Sequence, residues 1–107
     1  MKKILILLIT FSSTFCFAQK VEFLYGQAEI HYSHHEFEEA LIDINKAIEK
    51  KSKYYDAYLL RAKIYADSDR FDKALAELDY IIENFPAPDE AYFQKGMLLY
   101  DEEKYEK

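Results

Sequence analysis

The sequence predicts an all-α fold built from pairs of helices, and three observations support this prediction. Only two glycines and two prolines occur among the 107 residues, which favours long regular segments joined by short connections. Apolar residues recur at helical spacing, and no segment alternates apolar and polar residues over the length of a strand. The apolar pattern also repeats along the chain at a fixed long period, which indicates an array of similar helical units.

The N-terminal segment 1–18, here called the leader, has the layout of a secretory signal peptide. Lys2 and Lys3 precede an aliphatic run, and small residues lie three and one positions before a cleavage point at Gln19. The alternative is an uncleaved membrane anchor, but Ile4 to Ala18 spans 15 residues, fewer than the roughly 20 that a bilayer-crossing helix needs. We predict an exported protein, periplasmic or secreted and envelope-associated, with no stable membrane span after cleavage.

The charge of the chain excludes one class of partner. The leader contains two of the 14 basic residues and none of the 20 acidic ones, so the remainder has 12 basic and 20 acidic side chains and a net charge of −8. Nucleic acid is not expected as a partner, because phosphate binding requires concentrated lysine and arginine. The single cysteine lies in the leader, so no disulfide is expected in the folded domain.

The first helix of each period is marked by a small residue. Ala28, Ala62 and Gly96 follow one another at equal intervals, each one period after the last. Small residues at a contact determine how closely two helices approach each other. We predict these helices at about 22–33, 55–67 and 89–101.

The second helix of each period is marked by a continuous apolar stripe. Its members lie at positions i, i+4, i+7 and i+11, and they are Phe37, Leu41, Ile44 and Ile48, then one period later Phe71, Leu75, Leu78 and Ile82. A stripe with this spacing faces the core of a helical protein. We predict these helices at about 37–51 and 71–84.

Short polar joints separate the predicted helices. The joints at 33–36 and 67–70 occur within the helix pairs, and in the second of them Asp69 is predicted to cap the following helix through its side chain. The joint at 84–89 contains both prolines, which stop one helix, and Asp89 is predicted to cap the next.

This pattern resembles the tetratricopeptide-repeat (TPR) family, whose unit of about 34 residues is a helix-turn-helix. The matching positions are small residues, aromatic rings and a proline at the end of a unit: Ala28, Ala62, Gly96, Ala40, Ala74, Phe37, Phe71, Tyr105 and Pro86. The chain departs from the family at Gln27, Arg61 and Lys95, where a tryptophan or leucine is often found. The resemblance implies a TPR solenoid at 19–107, with repeats at about 21–54 and 55–88 and an incomplete third repeat at 89–107.

The third repeat is expected to lack its second helix, which would start at Tyr105. In stacked repeats each first helix is covered by its own partner and by the neighbouring unit. The stripe formed by Tyr92, Gly96, Leu99 and Tyr100 would then lose part of its cover. Two interpretations follow: the chain is a fragment of a longer protein, or a partner completes it. Self-association through the uncapped end is a further possibility.

The resemblance also implies a binding surface, because the first helices of TPR units line a concave face on which peptide or helix ligands lie. Carried onto this sequence, the peptide-binding residues are Tyr25, Glu29, Tyr32, Leu59, Lys63, Phe93, Met97 and Tyr100, with Glu22 and Ala66 on the same face. Some members bind a carboxylate with basic residues at positions that here hold Tyr25, Glu29, Glu90 and Gln94, so that clamp is not expected. An aromatic groove with acidic edges should favour apolar segments flanked by lysine or arginine. The alternative is that several of these side chains pack against the inner wall of the fold.

One cluster could carry metal chemistry. His31 and His35 are spaced i, i+4, which could place both on one helix face as metal ligands, with His34 between them. The favoured interpretation is that His31 fills the aromatic position that Tyr65 occupies one period later, because no third ligand is fixed by spacing. There is no glycine-rich phosphate loop, nucleophile elbow or cysteine–histidine pair. We therefore expect no enzyme activity, no cofactor and no metal.

The sequence thus favours a protein-interaction scaffold of a bacterial cell envelope. The alternative is the N-terminal TPR segment of a larger envelope or signalling protein. A metal-binding protein built on the histidine cluster is the third interpretation.

Overall fold

A computed structural model describes residues 20–106 as five α-helices joined by short connections, which confirms the predicted all-α class. The helices are α1 (Val21–Ser33), α2 (Phe37–Lys50), α3 (Tyr55–Asp67), α4 (Phe71–Asn84) and α5 (Asp89–Glu106). No strand occurs within these residues. The predicted signal peptide at 1–18 and the side chain of Tyr105 lie outside what the structure describes.

Short connections fold consecutive helices back on one another. Contacts are most extensive within the pairs α1–α2 and α3–α4. The two pairs meet mainly through α2 and α3, α5 packs against α4, and α1 also touches α3. None of the helices in the described part of the chain is both long and apolar enough to cross a membrane.

The turns within the two helix pairs repeat each other bond by bond. In the first turn His35 has a φ of 60°, and the Glu36 N–H donates to the His31 carbonyl at 2.8 Å. In the second turn, one period later, Asp69 has a φ of 62°, and the Arg70 N–H donates to the Tyr65 carbonyl at 2.8 Å. A left-handed residue followed by this long backbone bond is a common way to end a helix. The repeat found in the sequence therefore extends to the backbone.

Both predicted caps are wrong. Asp69 adopts the left-handed conformation, which aspartate tolerates better than most residues, and it thereby ends α3 instead of capping α4. Arg70 holds the position before α4 and makes no side-chain capping bond. Asp89 is the first residue of α5. Its carboxylate therefore lies in the first turn, where it interacts favourably with the positive end of the helix dipole.

Helix α5 continues past the position where the repeat predicts a turn. The repeat places the end of this helix near residue 101 and the start of the missing second helix at Tyr105, yet α5 runs unbroken to Glu106. The residue one period after Asp69 is Glu103, a good helix former. Without a residue suited to the left-handed conformation, no turn forms there.

The core consists of two clusters that meet at α3. The first surrounds Ile44 and Ile64, and the second surrounds Leu78 and Ile81. Helix α3 supplies buried residues to both clusters, and Ile48 of α2 packs against both. The small residues expected at close helix contacts are buried in both pairs: Ala28, Ala40, Ala62 and Ala74.

Arg61 connects three helices at the junction of the two pairs. Its guanidinium donates to both carboxylate oxygens of Glu77 on α4, at 2.7 and 3.0 Å, and to Asn45 Oδ1 on α2 at 3.0 Å. The same group lies over the ring of Tyr58, 5.3 Å from its centre. Hydrogen bonds from Arg61 therefore hold α2, α3 and α4 together at this position.

Helix α5 is the least buried helix. Ala91 is its one fully buried residue within 89–104. Its exposed large side chains are Tyr92, Phe93, Met97, Leu99 and Tyr100. Gly96 is also exposed, with open space where a side chain would point, so it does not mark a close helix contact within residues 20–106 as Ala28 and Ala62 do.

Candidate functional site

The first helix of each pair and α5 together line a cavity of about 430 Å³, here called the first cavity. Its lining residues are Tyr25, Glu29, Tyr32 and Ser33 of α1, Asp56, Leu59, Leu60 and Lys63 of α3, and Glu90 and Gln94 of α5. Three helices that are separate in sequence thus build one concave surface.

A second cavity of about 280 Å³ lies beside it between α3 and α5. It is lined by Ala62, Lys63, Ala66, Asp67, Leu78, Glu90, Phe93, Gln94, Met97, Leu98 and Asp101. Lys63, Glu90 and Gln94 line both cavities, so the two form one continuous surface, which we call the groove. The first cavity has two tyrosines in its walls, whereas the second has no tyrosine and more apolar residues, with Phe93 among them.

The groove is acidic. The two cavities contain five carboxylates, from Glu29, Asp56, Asp67, Glu90 and Asp101, against the single ammonium group of Lys63. An adjacent depression shares two of these carboxylates and adds those of Asp69 and Glu102. Within residues 20–106, Lys63 forms no ion pair with any of them. The groove therefore has a negative potential that a cationic partner would neutralise.

Two tyrosines in the first cavity have perturbed ionisation. Burial raises the pKa of Tyr25 to about 12, and the carboxylates of Glu29 and Asp56 contribute to the shift. Burial also raises the pKa of Tyr32 to about 12, helped by the hydrogen bond that its hydroxyl donates to Asp67 on α3. This bond joins α1 to α3, between a residue of the first cavity and a residue of the second. The Tyr25 ring packs on Tyr54, with ring centres 5.3 Å apart.

The raised pKa of Tyr25 predicts a loss of stability at alkaline pH. Below the unfolded-state pKa of 10.0 the tyrosine is neutral in both states; between pH 10 and 12 only the unfolded state loses the proton, so stability falls as pH rises. Tyr25→Phe should lessen this fall in stability, because the variant has no hydroxyl to ionise. Stability near pH 8 should stay almost unchanged, because no hydrogen bond to another group of residues 20–106 is lost with the hydroxyl. Urea unfolding of both proteins at about pH 8 and about pH 11 measures the difference. Equal losses in the two proteins would show that Tyr25 does not titrate in this way.

Gln94 presents a polar group that lacks a partner. Its side-chain amide nitrogen is buried and forms no hydrogen bond within the described chain, although Gln94 lines both cavities. Leaving such a donor unpaired costs roughly 1–3 kcal/mol.

The structure brings together most of the residues that the sequence proposed for binding. The first cavity contains Tyr25, Glu29, Tyr32, Leu59 and Lys63, and the second contains Lys63, Ala66, Phe93 and Met97. Glu22 and Tyr100 line neither cavity. Sequence reasoning missed Asp56, although it lies three residues before Leu59 and seven before Lys63 and therefore shares their helix face.

The histidines do not form the i, i+4 pair of the less favoured metal-binding interpretation. Helix α1 ends at Ser33, so His35 lies in the turn, with its ring against Phe37 at 5.7 Å. His31 is half-buried, with its two ring nitrogens 3.4 Å from a Glu36 oxygen and 3.5 Å from an Asp43 oxygen. No group of three or more potential metal ligands is placed to hold a metal ion in the part of the chain that the structure covers.

Comparison with known proteins returns no similarity: no family model, no curated protein and no solved structure matches the chain.

Proposed function

We propose that this protein is an exported TPR-type scaffold of a bacterial cell envelope that binds an apolar peptide or helix of a partner protein in the groove. The observation that carries the proposal is the continuous concave surface built by α1, α3 and α5. Surfaces of this kind, with exposed apolar side chains and a few polar groups, suit an amphipathic helix or extended segment.

The TPR assignment is supported by the backbone. The left-handed residues His35 and Asp69 lie one period apart, as do the long bonds that follow them and the buried alanines at 28 and 62. Export is supported by the charge and hydropathy layout of the leader.

The apolar residues of α5 supply the binding energy in this proposal. Phe93 is 63 % exposed and Met97 is 47 % exposed, and both border the second cavity. Burying an apolar side chain of this size contributes about 1.5–3 kcal/mol. Leu59 and Tyr25 extend the contact surface toward α1.

The test uses a defined probe, a fluorescein-labelled peptide of about 16 residues with leucine at i, i+3, i+4 and i+7 and a lysine at each end. Tyr25→Ala combined with Phe93→Ala should weaken its binding at least tenfold by fluorescence anisotropy, since it removes one aromatic contact from each cavity. Phe93→Ala alone should weaken binding several-fold without affecting the fold, because that side chain is mostly exposed.

The matched control is Phe23→Ala combined with Tyr92→Ala. These exposed residues are of the same two types and lie on the same two helices, but they line neither cavity. The control should bind the peptide as the parent protein does, and circular dichroism should show equal helix content in all variants. Equal binding by the parent and the Tyr25/Phe93 variant would show that the groove is not the binding site.

A further inference from the structure

We infer that the first cavity is a subsite for a lysine or arginine side chain of the bound segment, while the second cavity takes an apolar side chain. This inference rests on the proposed function and specifies the chemistry of the partner: a protein segment with a cationic side chain next to apolar ones.

The two cavities differ in the kind of side chain that they suit. Glu29, Asp56 and Glu90 give the first cavity three carboxylates against one ammonium, and Tyr25 and Tyr32 give it aromatic walls. Carboxylates accept charge-assisted hydrogen bonds from a cation, and aromatic faces attract it. The second cavity also contains three carboxylates and the same ammonium, but it has no tyrosine, and its apolar walls come from Ala62, Ala66, Leu78, Phe93, Met97 and Leu98.

A cationic occupant is inferred because Lys63, the one cation that lines the first cavity within residues 20–106, forms no ion pair with the carboxylates of that cavity. Three ion pairs join Arg61 to Glu77, Arg70 to Glu38 and Lys95 to Asp79, and none of the three includes a carboxylate of the first cavity. A second copy of this chain is a poor occupant because its net charge is also negative.

The test compares two probes, the lysine peptide described above and a norleucine peptide in which each lysine is replaced by its uncharged carbon analogue. The parent protein should bind the lysine peptide at least tenfold more tightly. Glu29→Gln with Asp56→Asn should remove most of that difference, whereas Lys63→Met should increase it because a repelling ammonium is removed. The control is Glu49→Gln with Asp72→Asn, which makes the same change in charge at exposed positions outside both cavities.

The possible outcomes separate the subsite from the proposed function. If the parent binds both peptides equally and the Tyr25/Phe93 variant binds neither, the groove stands and the cationic subsite is wrong. If the control variant removes the lysine preference as fully as the Glu29/Asp56 variant does, overall charge and not the first cavity is responsible, which also overturns the inference. If the parent binds neither peptide, the proposed function itself fails.

Discussion

Ile44→Ala should lower the free energy of unfolding by about 3 kcal/mol, which would be a large share of the ~5–15 kcal/mol expected for a small domain. Ile44 has 0 % exposure and belongs to the first core cluster, where α1, α2 and α3 meet. Removing three carbons there forfeits burial and leaves a cavity that closely packed helices refill only in part. Urea denaturation followed by circular dichroism measures the change.

The matched control lies two residues away in the same helix. Ile42 is 55 % exposed, so Ile42→Ala makes the same chemical change without opening a cavity and should change stability by less than about 1 kcal/mol. Alanine also favours helix slightly over isoleucine, which offsets part of the loss at both sites equally. If the two variants were equally stable, Ile44 could not occupy the core as described.

Arg61→Ala should lower the free energy of unfolding by about 2 kcal/mol, because it leaves a largely buried carboxylate without its partner. The Glu77 side chain is 10 % exposed and that of Arg61 is 21 % exposed. Two of the lost hydrogen bonds join α3 to α4 and one joins α3 to α2, so the loss falls at the junction of the two helix pairs. Thermal and urea unfolding both report it.

The chain contains its own control, since Arg70 is the other arginine. Arg70 pairs with Glu38, whose side chain is 68 % exposed, so Arg70→Ala should cost about 0–1 kcal/mol. Adding Glu77→Gln to Arg61→Ala should recover part of the stability, because the buried charge is then removed as well. A loss no greater than that of Arg70→Ala, or no recovery in the double variant, would show that the Arg61 network contributes little.

The positions of the first four helices could be predicted from sequence because their causes are local. The stripe from Phe37 to Ile48 and its copy from Phe71 to Ile82 specify both helices. The first stripe includes the buried Leu41 and Ile44, whereas in the copy only Leu78 is fully buried and its neighbour in the core is Ile81. The joints also contain residues suited to left-handed turns, and His35 and Asp69 adopt that conformation.

The extent of α5 could not be predicted by copying the repeat. The turns depend on single residues, and Glu103 at the equivalent position favours the helix. The two capping predictions failed for a related reason: an aspartate before a helix can cap it or can end the preceding helix, and spacing alone does not decide between these roles.

The membership of the groove and its acidic edges were largely predictable, but the position of each carboxylate was not. The TPR resemblance implied which residues of α1, α3 and α5 share one face. The convergence of Glu29, Asp56 and Glu90 on one cavity depends on how far the three helices are displaced along their axes, which the sequence does not specify. The hydrogen bond between Tyr32 and Asp67 and the unpaired amide of Gln94 also depend on these displacements, and so they could not be predicted from the sequence.

The shallow seating of α5 has a consequence for recognition. This helix provides one wall of the groove and is the least buried, so the free energy of its local opening should lie well below that of global unfolding. A molecule with α5 detached has no complete groove. A partner therefore binds only the molecules in which α5 is packed in place. Its apparent affinity would be reduced by the fraction of detached molecules, and substitutions that anchor α5 more firmly would strengthen binding without touching the partner.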